Sequence, residues 1–110
     1  MPTVTEFTAA LKALALPAPG VQKMLRAHYR STNHTSIARE LAAQAGYKNW
    51  RGVNLQYGLL ANRIGRKLKI TGARLSLLVE FGEPGALTNQ EWLIFMRKEF
   101  ARALKKAKWV

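Results

Sequence analysis

Between Asn49 and Leu68 apolar side chains recur at helical intervals, and no proline interrupts the run. At about 100° per residue, Trp50, Val53, Tyr57, Leu60, Ile64 and Leu68 fall within an arc of about 80°, the stripe of a long helix with one buried face. Asn49 is a good N-cap for it. The opposite side carries Arg51, Asn54, Gly58, Asn62, Gly65 and Arg66. Glycine inside a helix costs about 1 kcal/mol against alanine, so two on one polar face require a reason. Close approach of another backbone supplies one. A chain built on such a helix must lay shorter elements against its stripe, and the flanking sequence provides them.

Upstream, Thr3 and Glu6 have capping-box spacing, and Phe7, Ala10, Leu11 and Leu14 follow at helical intervals. The first helix is expected to stop near Leu16, because Pro17-Ala18-Pro19-Gly20 cannot continue it. A second helix fits Val21 to about Arg30, with Val21, Met24, Leu25 and His28 on one face. Ser31-Thr32-Asn33-His34 is loop chemistry, and Thr35 or a neighbour caps a third helix. There Ile37, Ala38, Leu41, Ala42 and Ala45 make a narrow stripe of small residues, and Gly46 ends it. Downstream, Arg74 to Phe81 is rich in Leu and Val and reads as a strand. Gly82-Glu83-Pro84-Gly85 is turn chemistry, with loop to Asn89, and Glu91 to Met96 is the returning strand, with Trp92, Ile94 and Met96 on one side. A last helix from about Arg97 to Lys106 buries Phe100, Ala103, Leu104 and Ala107, and Trp109-Val110 packs back on the domain.

Helices followed by a strand hairpin, with two helices joined by a short turn containing glycine, make an α+β, mainly helical chain of winged helix-turn-helix type. It is expected to be a single domain over residues 1–110. Residues 1–20 hold the N-terminal helix and Pro-rich connection, and residues 21–68 the helical core, with the helix-turn-helix at 35–68. The wing hairpin takes 74–96, with an acidic loop at its tip, and the C-terminal helix takes 97–110.

Charge points to the partner. The chain has 18 Lys+Arg against 6 Asp+Glu, a formal net charge of +12, and all the acids are Glu. A hydrophobic fraction of 48% separates it from a disordered basic tail. From Leu41 to Val79 there is no acidic side chain, and residues 47–74 carry Lys48, Arg51, Arg63, Arg66, Lys67, Lys69 and Arg74. A phosphate backbone is least repelled there, and the expected partner is double-stranded DNA.

With helix 49–68 in the major groove, its N-terminal residues meet base edges. Arg51 suits a bidentate pair with guanine, and Asn54 or Asn49 one with adenine. Lys48, Arg63, Arg66, Lys67 and Lys69 suit phosphates, which position without reading sequence. The expected DNA-binding set is Tyr47, Lys48, Asn49, Trp50, Arg51, Asn54, Gly58, Asn62, Arg63, Arg66, Lys69 and Arg74. His34, Tyr47, Trp50, Tyr57 and Trp92 are candidates for a base pocket. Periodicity pulls Trp50 and Tyr57 toward the core stripe, and Trp92 toward packing of the wing on the core. The basic last helix, with Lys98, Arg102, Lys105, Lys106 and Lys108, either extends the phosphate footprint or solubilises an exposed face.

The stretch AHYRSTNHTSIARELAAQAGYKNWRGVNLQYGLL, and within it Gly46 to Trp50 and Asn54 to Gly58, resembles a small winged-helix module attached to HNH nucleases in bacterial modification-dependent restriction systems. The ending EWLIFMRKEFARALKKAKWV is similar to such modules too, so the likeness runs from about Val21 onward. The resemblance implies DNA reading, with selectivity for 5-methylcytosine as its sharper form. No nuclease domain is expected to follow, a departure from the nuclease-linked form, so that cutting is expected to need a separate partner.

Catalysis is not expected. Without Asp no Ser-His-Asp arrangement exists, and without Cys there is no thiol nucleophile or thiolate metal site. His28 and His34 lack further ligands for zinc, so no metal and no cofactor is expected. Glu80, Glu83 and Glu91 read as solvated charge or as repulsion that holds the wing tip off DNA. No apolar run reaches the roughly 20 residues of a membrane span and no signal peptide opens the sequence, so a cytoplasmic, nucleoid-associated setting is expected. The rival readings are a plain transcriptional regulator without modified-base preference, and a protein-interaction module (inhibitor or adaptor) using Leu55 and Leu59, which fall off the stripe. RNA is disfavoured for want of a sheet-borne aromatic platform. The oligomeric state is not encoded in any of these patterns.

Overall fold

The computed structural model describes residues 1–83 and 92–110. Helix α1 (Val4–Ala13) begins with the expected capping box: the Thr3 hydroxyl accepts the Glu6 N–H at 3.1 Å, and the Glu6 carboxylate accepts the Thr3 N–H at 3.0 Å. It stops three residues before Leu16, since Pro17 has no N–H to return to the Ala13 carbonyl and restricts Leu16. Helix α2 (Pro19–Arg30) starts two residues before Val21, with Pro19 in the first turn, where its fixed φ is already helical and its missing N–H costs nothing.

The third helix starts later than its sequence suggests. Thr35–Ile37 is a short strand, β1, and α3 (Ala38–Ala45) begins after it with Ile37 at the N-cap instead of Thr35. Three β-branched or small residues carry no detectable period; β1 exists because Ser36 pairs with Ile94, far along the chain. At the other end Gly46 takes φ +81°, and the Tyr47 N–H returns to the Ala42 carbonyl at 2.8 Å. After the turn, the Asn49 side chain accepts the Arg51 N–H at 2.9 Å and opens α4 (Trp50–Lys67).

Of the expected strand Arg74–Phe81 only the end is extended. Leu75–Leu77 forms a 3-10 turn, and β2 (Val79–Gly82) follows. Strand β3 (Leu93–Met96) pairs antiparallel with both β1 and β2, giving sheet order β1-β3-β2, with Val79 opposite Met96 and Phe81 opposite Ile94. The expected turn at Pro84-Gly85, the loop to Asn89 and the acidic tip at Glu91 lie outside the described residues. Helix α5 (Lys98–Lys106) closes the chain.

Architecture follows from these stripes. Phe7 and Leu11 of α1 meet Phe100 and Leu104 of α5 in the core, the two phenyl rings edge to face at 5.8 Å. Met24 and Leu25 of α2, Leu41 of α3, and Val53, Tyr57, Leu60 and Ile64 of α4 complete that core, with Ile94 and Met96 from the sheet. Trp109 packs back and is buried, as expected, while Ala107 is only half-buried. The result is an α+β chain, mainly helical, with a small antiparallel sheet.

The two α4 glycines separate. Gly65 was expected on the polar face but is buried: a Cβ there would lie 2.5 Å from the Ala73 Cβ and 3.2 Å from the Ile70 carbonyl oxygen. The chain leaving α4 turns back over it, with Lys69 at φ +58° and the Ile70 N–H bonded to the Gly65 carbonyl at 2.8 Å. Close backbone approach does explain this glycine, and the backbone belongs to the same chain. Among the described residues Gly58 has nothing within 4 Å of a would-be Cβ.

Candidate nucleic-acid interface

Helix geometry sorts the expected residues into two adjoining surfaces. Arg51, Leu55, Gly58, Asn62 and Arg66 follow one another at three- or four-residue steps, on the side of α4 away from Val53, Leu60 and Ile64. The fifteen steps of helix from Arg51 to Arg66 make this outward face about 22 Å long. Arg51, Asn62 and Arg66 are exposed, as are Leu55 and Leu59, at 59% and 51%. Gly58 leaves a flat place near its middle. Arg63, half-buried, stands off to one side; Lys69 and Arg74 lie beyond the helix end, both exposed. No helix among the described residues is long and apolar enough to cross a membrane.

The second surface is a cleft of about 920 Å³ between the α3–α4 turn and the sheet. Tyr47, Lys48, Asn49, Trp50 and Asn54 line it from the helical side, and Trp92 and Phe81 from the sheet side. Ala38 and Ala42 of α3 contribute, so part of that small-residue stripe faces an opening and not only α4. Two expectations are corrected here. Trp50 does not join the α4 core stripe and is 51% exposed; Trp92 does not pack on the core and is 52% exposed. The first turn of α4 projects past the core at Trp50, and no described element covers it. Trp92 precedes the first sheet-paired residue, Leu93, so the pairing that buries Ile94 does not reach it.

Tyr47 owes its position to glycine. A Cβ on Gly52 would approach the Tyr47 ring to 3.0 Å, and one on Gly20 would lie 3.6 Å from its hydroxyl oxygen. The ring therefore lies over two side-chain-free surfaces, half-buried, and burial raises the phenol pKa above its ordinary value. On Trp50 the Arg51 guanidinium carbon sits 5.7 Å from the ring centroid, a cation–π contact at the cleft rim.

Two candidates for a base pocket lie elsewhere. Tyr57 is 1% exposed, and its hydroxyl sits 2.6 Å from His28 Nδ1. The other imidazole nitrogen, Nε2, is 2.9 Å from the Ile94 carbonyl, which can only accept, so Nε2 carries the proton and Tyr57 donates to Nδ1. Burial drives the Tyr57 pKa upward and lowers that of His28 to about 4, with the Ile94 contact opposing. This pair ties α2 and α4 to β3, and the neutral histidine is a packed structural residue. His34 is absent from the cleft: its Nδ1–H donates to the Tyr29 carbonyl at 2.6 Å, and its ring stacks on Tyr29 at 4.8 Å.

Glu80, read from the sequence as solvated or repulsive charge, forms an ion pair with Arg97, which also donates from Nε to the Ser76 carbonyl at 2.9 Å. It helps fix the strand to the start of α5. Phe81 escaped the sequence reading as a site residue. The signal was its inward alternation with Val79, which places its side chain on the core side just where the core ends.

Comparison with known proteins finds no family model, no curated protein and no solved structure that matches this chain.

Proposed function

We propose that the chain is a non-enzymatic, double-stranded-DNA-binding protein of the winged helix-turn-helix kind, with α4 as the helix that enters the major groove. The observation that carries the reading is the outward face of α4. Arg51, Asn62 and Arg66 flank a glycine whose would-be Cβ meets nothing within 4 Å among the described residues, inside a segment with no acid from Leu41 to Val79. A helix tolerates the cost of Gly58 (about 1 kcal/mol) where a phosphate backbone or base edge must come close. The element order α2-β1-α3-α4-β2-β3, with β3 central in the sheet, supports the winged-helix reading, as does the resemblance to nuclease-linked modules. Lys48, Arg63, Lys69 and Arg74 supply sequence-independent phosphate contacts around the reading face.

The sharper form is a preference for 5-methylcytosine. In the major groove a pyrimidine C5-methyl group is read by apolar contact, and Leu55 and Leu59 stand exposed on the outward face to make it. The same leucines favour the second reading, a protein-interaction module that covers them with a partner's apolar surface. Charge reversal separates the two. Arg51→Glu with Arg66→Glu should abolish binding to a duplex of about 20 base pairs while the circular dichroism spectrum stays unchanged; unaltered affinity contradicts the DNA reading. Matched duplexes with and without C5-methylated cytosine then test the preference, and equal affinity refutes it.

A further inference from the structure

We propose that the cleft beside α4 is a receptor for one unstacked nucleotide of a DNA duplex, a base swung out of the helix and held between the indoles of Trp50 and Trp92. The proposal rests on the DNA-binding reading and adds to it a second, pocket-like contact.

Four aromatic side chains, Tyr47, Trp50, Phe81 and Trp92, converge on this cleft from two separate parts of the fold. The two indoles remain half exposed although the chain buries a third, Trp109, to 2%. Exposed indoles on the helical and sheet sides of one cleft are a large apolar area held ready for a flat partner. Its volume lies in the range of sites that enclose small organic ligands. Ala38 and Ala42 contribute methyl groups only, which leaves room between the aromatic walls.

Charge and continuity select the occupant. None of the described lining residues is acidic, and Lys48 is exposed at the rim, which suits a phosphate. Among the described residues the Asn54 side chain has no hydrogen-bond partner, so its amide is available to a base edge, donor and acceptor both. An aliphatic peptide would match a Leu- and Met-lined groove better than this set of rings and amides. Trp50 and Asn54 adjoin Arg51 and Gly58 on α4, so the cleft opens beside the face proposed to meet the duplex. Stacking is indifferent to base identity, because every base has a π-face. The cleft would therefore favour a nucleotide already loosened by a bulge or mismatch, where the unstacking penalty is least.

The test uses four DNAs of one sequence: a perfect duplex, the duplex with a single unpaired nucleotide, the same bulge lacking its base, and the single strand. The base-bearing bulge should bind roughly tenfold or more tightly than the other three, the scale of one base stacked on aromatic rings, and should quench the tryptophan emission. Trp92→Ala removes a wall, and Ala38→Leu fills the cleft without removing anything; both should erase the preference and leave perfect-duplex affinity within about twofold. Equal binding of the base-bearing and baseless bulges overturns the proposal, since the bulge would then act only through bendability. Retention of the preference in both variants also overturns it, and equal binding of the single strand overturns the assignment to a duplex. If the perfect duplex fails to bind even at low salt, the DNA reading itself falls; if it binds with no preference for the bulge, only the cleft proposal does.

Discussion

Acid should destabilise this protein well before its carboxylates titrate, because of one histidine. His28 is fully buried and neutral, its pKa lowered to about 4 against 6.5 in an open chain. Between those values the unfolded chain binds a proton that the folded one refuses, so stability falls as pH falls. The loss begins near pH 6.5, reaches about 2 kcal/mol at pH 5, and would total about 3 kcal/mol below pH 4. For a chain of this size 2 kcal/mol corresponds to a fall in Tm of roughly 8–15 °C. Glutamates in an open chain titrate near 4.3, so the carboxylates contribute little in the window from pH 7.5 to 5. Thermal melts across it give the magnitude, and a long-range proton–nitrogen NMR spectrum shows whether the His28 Nε2–H form persists at pH 5. Tyr57→Phe removes the donor to Nδ1 and should cost about 1–3 kcal/mol at pH 7.5, the penalty for a buried acceptor left unpaired. A Tm flat within about 2 °C over that window, or a charged His28 at pH 5, would refute the reasoning.

The α4 glycines should respond with opposite signs. Gly58→Ala is expected to stabilise by about 1 kcal/mol, since its Cβ meets open space, and to weaken duplex binding; Gly65→Ala should destabilise by about 1–2 kcal/mol, its clash with Ala73 outweighing the gain in helix propensity. Urea denaturation reads both. The tryptophans should divide likewise: Trp109→Ala costs about 3–5 kcal/mol, whereas Trp50→Ala and Trp92→Ala each change stability by less than about 1 kcal/mol, because their rings are half in water. Lys69→Gly should stabilise by about 1 kcal/mol by relieving a left-handed residue at the end of α4, a shift visible in the same melts.

Elements with their own period or punctuation were legible in the sequence. The Thr3 capping box, the glycine stop at Gly46, the Asn49 cap and the stripe from Val53 to Ile64 all need only neighbours within a turn or two, and all stand in the structure. What escaped depended on contacts far along the chain. Strand β1 exists through its pairing with β3, and Thr35-Ser36-Ile37 alone looks like a helix start. Trp50 fits the stripe by angle, yet burial also requires close packing opposite, and at the first turn of α4 an open cleft lies there instead. The Gly65 requirement came from Ala73, eight residues on and around a turn that periodicity does not describe. Of the expected base-pocket residues, Tyr47, Trp50 and Trp92 share one cleft, while Tyr57 and His34 were drawn to a buried histidine and to a tyrosine ring. Aromatic character alone does not tell a packing residue from a binding one.

The central claim, that the acid-free basic segment meets the phosphates of a duplex, is tested most directly by the salt dependence of binding. With roughly 5–8 phosphates neutralised, a plot of log affinity against log salt should fall with a slope of about −5 to −7. Between 50 and 200 mM salt that amounts to a loss of about a thousandfold or more. A slope shallower than about −2 would mean that few phosphates are engaged, and would contradict the assignment of α4 and its flanking bases to DNA.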